Sequence, residues 1–265
     1  MKAIVLAAGY ATRLYPLTLH TPKPLLTIAG QPMLNHVLRA LAPLRQIDLV
    51  YIVTNDRFAP QFEAWARSQA GRTPFPCTII NDGTTDDANK RGAIGDIHFV
   101  LQTHQLQDDL VIVAGDNLFS QPLIGFGEYC LARQAPVLGV YDVGNLEQIR
   151  HYNAISTDAE GRITFFEEKP AQPRSTLTGI ALYFYPRASL PLIQQYIAEG
   201  NNPDQPGRLV QWMYPRVPFY TWRVPGLWFD IGSRESLEQA DRLFRQLASD
   251  RSQPRPTDTP DSHGT

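Results

Sequence analysis

The stretch LAAGYATRLYPLTLHTPKPLL, residues 6–26, decides the fold. It overlaps an apolar segment at residues 3–7 that has the length and composition of a buried strand. Ala7, Ala8 and Gly9 are small, so a polyphosphate can approach the backbone closely. Successive exposed N–H groups in such a turn form an anion-binding nest. The stretch therefore predicts a strand that leads into a phosphate-binding loop.

Two cations follow in the same stretch. Arg13 offers phosphate oxygens a planar fork of donors, and Lys23 offers a movable point charge. Pro16, Pro22 and Pro24 stiffen the connection, so the cations are held at a low cost in entropy. The pattern is neither a Walker loop nor GxGxxG, which disfavours a P-loop ATPase and a dinucleotide-dependent dehydrogenase.

Short apolar segments alternate with helical periodicity up to Asp142, which predicts a parallel sheet covered on both faces. After Asp142 the strand segments follow one another more closely. The fold class predicted is α/β, with a Rossmann-like, mostly parallel sheet flanked by helices and a mixed second half. Strands are predicted at 3–7, 49–53, 78–80, 110–114, 137–141, 153–156, 163–167, 179–185, 220–224 and 228–231, and helices at 33–41, 58–65, 96–104, 123–133, 188–199, 209–214 and 235–247.

The predicted domain organisation is one domain at 1–248, with a nucleotide-binding half at about 1–142 and a second half at about 143–248. Residues 249–265 lack apolar periodicity and are rich in Ser, Pro, Asp and Thr, which predicts a disordered tail.

Composition excludes several classes of protein. The 265 residues carry a net charge of -2, which argues against a nucleic-acid binder. No segment has the length of a membrane span or the form of a signal peptide, so we expect a cytoplasmic protein without a membrane partner. Cys77 and Cys130 show no metal-binding spacing, and we interpret them as buried free thiols.

Two carboxylates follow apolar strands. Asp116 ends the strand in LVIVAGDN, and Asp230 lies in LWFDIGS. Ligands of open α/β sheets bind at the carboxyl ends of the strands. Two carboxylates together with phosphate oxygens make an ordinary Mg²⁺ site, because Mg²⁺ takes few protein ligands.

These motifs, in this order, resemble those of sugar-phosphate nucleotidyltransferases, the family of glucose-1-phosphate thymidylyltransferase and its UTP, ADP and GTP relatives. The resemblance covers roughly residues 1–243. It implies an enzyme that joins an NTP to a sugar 1-phosphate with release of pyrophosphate, with Mg²⁺ as cofactor and a sugar-binding second half. The implied roles are catalysis by Arg13, Lys23 and Asp116, metal binding by Asp116 and Asp230, nucleotide binding by Leu6, Ala8, Gly9, Asn81 and Gly92, and substrate binding by Asn153, Glu168, Lys169, Thr178 and Gly179.

The chain departs from the family pattern at three positions. Ala11 replaces the second glycine of the usual AAGxGTRL loop, so we expect its backbone to avoid positive φ. Asn153 replaces a glycine, and Asn81-Asp82 replaces a Gln-Pro pair near the nucleobase. An Asn amide can pair with N3–H and O4 of uracil or thymine, which predicts a preference for UTP or dTTP.

Two alternatives stay open. The first is a cytidylyltransferase acting on a phosphorylated alcohol such as phosphocholine, with Tyr152, Tyr183 and Trp228 as a candidate cage for the cation. The second is a catalytically inactive nucleotide-sugar-binding regulatory subunit. The charged motif residues are all present, which favours an enzyme. The apolar helices could also pack against a second copy of the chain, so a homo-oligomer is a further possible partner.

Overall fold

The computed structural model describes residues 1–252. From residue 253 onward, the predicted disordered tail lies outside the described residues. The nucleotide-binding half contains the following elements: β1 (Lys2–Leu6), β2 (Thr27–Ile28), β3 (Gln31–Pro32), α1 (Met33–Leu41), β4 (Leu49–Thr54), α2 (Ala59–Ser68), β5 (Cys77–Asn81), α3 (Ala93–Thr103), β6 (Leu110–Ala114), β7 (Asn117–Phe119), α4 (Phe126–Arg133) and β8 (Val137–Asp142).

The second half contains short helices and strands that pack on the same sheet. They are α5 (Leu146–Ile149), β9 (Asn153–Thr157), β10 (Ile163–Glu168), β11 (Leu177–Tyr185), α6 (Leu190–Ala198), α7 (Pro206–Met213), β12 (Tyr220–Arg223), β13 (Trp228–Asp230) and α8 (Arg234–Ser252). Short 3₁₀ turns lie at Thr12–Leu14, Lys23–Leu25 and Arg187–Ser189.

The central sheet has seven strands in the order β12-β8-β11-β6-β1-β4-β5. Six strands run in one direction, and β11 alone is antiparallel to both of its neighbours, β6 and β8. The predicted α/β class with a mostly parallel sheet is therefore confirmed. The antiparallel strand comes from the second half of the chain and lies between two strands of the first.

Successive side chains of each strand point to opposite faces of the sheet and pack into two hydrophobic cores, one on each face. Ala3 and Val5 of β1 pack with α1, α2, α4 and α8 on one face, and Ile4 packs with α3, α6 and α7 on the other. Helices on both faces explain why the strands read as unbroken apolar segments. Among residues 1–252, no helix is long and apolar enough to cross a lipid bilayer.

Several boundaries differ from the sequence prediction. α3 begins at Ala93, three residues early, because carbonyls of another loop accept from its first amides: Ala93 N donates to Asp204 O at 3.4 Å and Ile94 N to Pro203 O at 2.8 Å. The hairpin of β2 and β3, the strand β7 and the short helix α5 were not predicted. α8 continues to Ser252, five residues past its predicted end.

Both cysteines are free. Cys130 is fully buried, as predicted, but Cys77 is only partly buried. Burial raises the pKa of the Cys77 thiol to about 11, so it is protonated and unreactive at neutral pH.

Candidate active site

A cleft of about 390 Å³ opens at the carboxyl ends of β1 and β6, where ligands of α/β sheets bind. A smaller cavity of about 130 Å³ adjoins it and shares Leu6, Gly9 and Asp116 with it. Residues from both halves of the chain line the main cleft: Leu6, Ala8, Gly9, Asp82, Asp87, Lys90, Gly92, Ala93, Asp96, Ala114, Asp116, Asn117, Tyr152, Gly179, Ile180, Ala181, Asp204, Pro206, Trp228 and Asp230.

The loop after β1 forms one wall. Gly9 faces open space, so nothing blocks a ligand from its backbone. Ala11 has φ 49° and ψ 42°, and the expectation that it avoids positive φ is wrong. The 3₁₀ turn that follows requires this left-handed residue. Its carbonyl accepts from the Leu14 amide at 3.0 Å and from Thr18 Oγ1 at 2.8 Å, which hold the loop in place.

Lys23 lies in a proline-bounded turn at the floor of the smaller cavity. Its Nζ is 2.6 Å from Asp116 Oδ2, and both side chains are partly buried. Pro24 packs against Gly115, where an added Cβ would lie 3.0 Å from the proline ring. The prolines and this glycine therefore place the two halves of an ion pair that are 93 positions apart in sequence.

Asp116 and Asp230 come together because β7 pairs with β13, which aligns Asn117 with Asp230. The Ile231 amide also donates to the Asp116 carbonyl at 3.3 Å. Burial, followed by the negative charge of Asp116, raises the pKa of Asp230, and the charges of Lys23 and Arg13 oppose this shift. Arg13 itself is exposed beside the cleft.

This donor set fits Mg²⁺. Two like charges share a partly buried site, so a divalent cation would relieve their repulsion. Among the described side chains, no group of three or more His, Cys, Asp or Glu residues is arranged to hold a metal ion. Mg²⁺ needs only one or two carboxylates when phosphate oxygens and waters complete its shell, and Asp116 and Asp230 supply two.

An aromatic group forms the wall near the second half of the chain. Trp228 contacts Tyr152 edge to face, with ring centroids 5.6 Å apart, and its Nε1 donates to Asn117 Oδ1 at 2.8 Å. Tyr152 and Trp228 line the cleft. Tyr183 faces the core on the α3 side of the sheet, so it takes no part in this wall.

The predicted substrate-binding residues cluster on β9, β10 and β11. Gly179 lines the cleft. Asn153 uses its amide within the protein: Oδ1 accepts from the Gly179 amide at 2.6 Å, and Nδ2 donates to the Gly179 carbonyl at 3.1 Å. Thr178 is buried, and its hydroxyl also donates to Asn153 Oδ1. Asn153 and Thr178 thus fasten β9 to β11 beside the cleft.

Glu168 and Lys169 end β10. The Oε2 atom of Glu168 is buried and accepts no hydrogen bond from the described residues, and burial raises the pKa of this carboxyl. Lys169 has φ 48°, and its amide donates to the Tyr152 carbonyl at 2.7 Å. Neither residue is among the lining of the 390 Å³ cleft. Their contact with a sugar phosphate stays a prediction.

On the opposite side, Asn81 is exposed and is not among the cleft lining. Its Nδ2 donates to Asp56 Oδ1 at 2.7 Å, and its Oδ1 accepts from the Gly83 amide at 2.9 Å. Asp82, the next residue, points inward and is 1% exposed. The period of two along a strand predicts the inward direction of Asp82, because it puts Asp82 on the same face as the apolar Ile80 and Asn81 on the opposite face.

Gly92 lines the cleft and immediately precedes α3, and its contact with a nucleotide stays a prediction. Its φ is 77°, and a Cβ would lie 2.6 Å from Asp204 Cα. Only glycine fits there. Asp96, one turn further along α3, also lines the cleft and was not predicted.

Comparisons with known proteins agree with this geometry. Residues 2–246 match the family described as Nucleotidyl transferase. The chain is 28% identical over 262 residues to UTP–glucose-1-phosphate uridylyltransferase of Synechocystis sp., covering 93% of this chain and 64% of that protein. It is 28% identical over 255 residues to glucose-1-phosphate thymidylyltransferase of Mycobacterium tuberculosis, covering 93% and 83%.

The chain is shorter than several relatives that it matches. It spans 54% of the bifunctional protein GlmU of Methanocaldococcus jannaschii, to which it is 22% identical over 247 residues, or 92% of this chain. Among solved structures, UDP-glucose pyrophosphorylase complexed with UDP-glucose has the same fold. The TM-score is 0.76 at 19% identity, covering 92% of this chain and 98% of that one. Because the family match covers well over half of the chain, this protein belongs to the nucleotidyl transferase family.

Proposed function

We propose that this protein transfers a nucleotidyl group from an NTP to a sugar 1-phosphate, giving an NDP-sugar and pyrophosphate. The observation that carries the proposal is the joint placement of Lys23, Asp116 and Asp230 beside the open backbone at Gly9. Cations, carboxylates and a close-approach loop at one sheet edge suit a reaction between two polyanions.

In this mechanism a sugar-phosphate oxygen attacks the α-phosphorus of the NTP, and the bond to pyrophosphate breaks. The nucleophile is already an anion, so no general base is required. Lys23 and Arg13 bind the phosphates and offset their charge, and Lys169 holds the attacking group. Mg²⁺ held by Asp116 and Asp230 would add positive charge at the phosphates. Alignment and electrostatic stabilisation then supply the rate.

The finer part of the proposal is a preference for UTP or dTTP. Asn81 does not support this preference, because its side-chain amide forms hydrogen bonds outside the cleft. The acceptor-rich end of the cleft around Asp82 and Asp96 supports it instead, because the uracil and thymine rings present an N3–H donor.

One experiment tests the reaction and separates its alternatives. Pyrophosphate release is measured for UTP, dTTP, CTP, GTP and ATP, each combined with common sugar 1-phosphates and with phosphocholine. We expect turnover with UTP or dTTP and a sugar 1-phosphate. Faster turnover of CTP with phosphocholine would favour the cytidylyltransferase, for which Tyr152 and Trp228 supply aromatic faces. Nucleotide-sugar binding without turnover of any pair would favour the regulatory subunit.

Lys23→Ala should lower kcat/KM about a hundredfold, because removing one preorganised charge from such a site costs roughly 3 kcal/mol. Lys2→Ala is the matched control, since Lys2 also pairs with an aspartate, Asp48, at 2.8 Å but lies outside the cleft. Equal activity of the two variants would contradict the role of Lys23. Circular dichroism and thermal melting of both variants show whether the fold survives.

A further inference from the structure

The end of the cleft between β5 and α3 carries charges of the wrong sign for phosphate. Asp82, Asp87, Asp96 and Asp204 all line it. Lys90 lies 3.4 Å from both Asp87 Oδ1 and Asp204 Oδ2, so one cation offsets part of the charge of the outer two carboxylates, whereas neither of the inner two forms an ion pair with a described residue. A phosphate is repelled from the inner pair, whereas an uncharged ring with N–H donors is attracted.

The same end is shaped for a flat ring. Its walls are the small or apolar residues Leu6, Ala8 and Ala93, and the lack of a side chain at Gly92 lets the start of α3 pack directly against the backbone of Asp204. The phosphate-binding features at Gly9 and Lys23 adjoin it. A nucleotide whose phosphates lie along that loop would extend its base toward the inner carboxyls.

Asp96 is the residue of this end that has a carboxyl oxygen without a partner among the described residues. It is 5% exposed, and its Oδ1 accepts no hydrogen bond from the described residues. Asp82, by contrast, is satisfied locally, because its Oδ1 accepts from Thr84 N at 2.7 Å and from Thr84 Oγ1 at 2.8 Å. A buried acceptor without a donor is costly unless a ligand supplies one.

The two inner carboxyls share a hydrogen bond, which requires that one of them carries a proton. Burial and the charge of Asp82 raise the pKa of Asp96 to about 8, against a lowering influence of Arg91 and a further raising influence of Asp204. Arg91 is itself engaged, since its Nε donates to the Asp82 carbonyl at 2.7 Å and its guanidinium stacks on Phe99. At neutral pH the Asp96 carboxyl is therefore mostly protonated, and the oxygen without the proton can only accept.

We propose that Asp96 reads the nucleobase, by accepting a hydrogen bond from the N3–H group of uracil or thymine. This inference rests on the proposed nucleotidyl transfer and names the residue that selects its NTP. CTP offers an unprotonated N3 at the same ring position, so an acceptor would face an acceptor and neither would be satisfied.

Two substitutions of similar size test this assignment. Asn at position 96 can still donate to Asp82 and still leaves a carbonyl oxygen as the acceptor. Asp96→Leu removes both the donor to Asp82 and the acceptor oxygen. The ratio of kcat/KM for UTP to that for CTP should fall about tenfold or more in Asp96→Leu, and should stay near the wild-type value in Asp96→Asn.

Several outcomes would overturn the proposal. These are an unchanged ratio in Asp96→Leu, an equal fall in both variants, a fall in Asn81→Ala instead, or a wild-type enzyme that prefers CTP. Thermal melting of Asp96→Leu checks that the fold survives. Dissociation constants of UTP and CTP without any sugar phosphate should show the same ratio.

The binding measurement also separates this inference from the reaction. Wild-type turnover with an unaltered ratio in Asp96→Leu defeats the role of Asp96 alone. Absent turnover with any substrate pair defeats the proposed reaction, whatever the binding ratio shows.

Discussion

At the scale of single residues, Ala11 occupies a backbone conformation that disfavours any side chain. A non-glycine residue in the left-handed region costs roughly 1–2 kcal/mol, and the greater freedom of glycine in the unfolded chain offsets about half of that. Ala11→Gly should therefore raise the free energy of unfolding by about 0.5–1 kcal/mol. Urea denaturation measures this change.

Ala42 provides the control for that prediction, because it lies at the end of α1 with φ -52°. Ala42→Gly gains nothing from positive φ and should lower stability instead. If both variants lose stability, the left-handed conformation of Ala11 is not a source of strain.

Asp96 makes the stability of the protein depend on pH. The pKa rises from 3.8 to about 8 on folding, so between these values the unfolded chain binds fewer protons at this residue than the native state. Stability falls as pH rises through that window, by up to about 1.4 kcal/mol for each pH unit. Asp96→Asn should therefore be more stable than the wild type at pH 8, with a smaller gain at pH 5.

Unfolding in urea at the two pH values measures this difference. Asp48→Asn is the control with the opposite sign, because the hydrogen bond from Lys2 lowers the pKa of Asp48. Its contribution changes only below about pH 4, so its effect on stability should be the same at pH 5 and pH 8. A gain in Asp96→Asn that is independent of pH would contradict the raised pKa.

The sequence identifies candidate site residues by their charge and their place in a motif. It does not show which way each side chain points. The sequence predicts that Lys23, Asp116 and Asp230 act at one site, and they lie together because Pro24 packs on Gly115 and β7 pairs with β13. Their catalytic and metal-binding roles stay predictions. Asn81 and Asp82 are adjacent in sequence, yet they face opposite sides of β5. The amide of Asn81 predicts a contact with the base, but Asp82 is the one of the two residues that lines the cleft.

At the scale of secondary-structure elements, α7 depends on a glycine that faces β10. A Cβ added to Gly207 would lie 1.9 Å from Glu168 Oε2, so Gly207→Ala displaces the Glu168 carboxyl from its position. If Glu168 and Lys169 bind the sugar phosphate, the KM for that substrate should rise about tenfold or more, while the KM for the NTP stays within twofold.

Gly127→Ala serves as the control, since Gly127 lies in α4 and an added Cβ would meet nothing closer than the flexible end of Gln46 at 3.2 Å. Steady-state kinetics with each substrate varied in turn gives the two KM values. Equal changes in both KM values for Gly207→Ala would assign the helix a general structural role.

The central strands were predicted almost residue for residue, because burial on both faces demands unbroken apolar segments. The elements that were missed are short, and β7 also depends on a partner remote in sequence. β7 consists of three residues paired with β13, more than a hundred positions later. α3 begins earlier than predicted because the carbonyls of residues 203–204 accept hydrogen bonds from its first amides. A single sequence gives no sign of either contact.

At the scale of the whole molecule, Gly92 is one of the points where the two halves of the chain touch beside the cleft. Gly92→Ala adds a Cβ 2.6 Å from Asp204 Cα at a residue with φ 77°, so both strain and a backbone clash result. We expect a loss of at least about 2 kcal/mol in stability and a raised KM for the NTP.

Gly71→Ala isolates the contribution of strain, because Gly71 has φ 70° but no atom within 4 Å of the added Cβ. It should lose only about 1 kcal/mol and leave the KM unchanged. Similar losses in the two variants would show that the contact with Asp204 contributes little.

We propose that residues 1–248 fold as one domain, as the sequence predicts. The position of β11 supports this, since it separates β6 from β8 and bonds to both. A fragment ending at Asp142 would hold the four adjacent strands β6, β1, β4 and β5, and β8 would lack both of its neighbours in the sheet.

The position of β11 also orders events during synthesis on the ribosome. β6 and β8 leave the exit tunnel well before residues 177–185 leave it, so each presents an unpaired edge to the cell in the meantime. Edges of this kind recruit other chains. We expect nascent chains halted between Asp142 and Tyr185 to be captured by chaperones or to aggregate, and full-length chains to escape both.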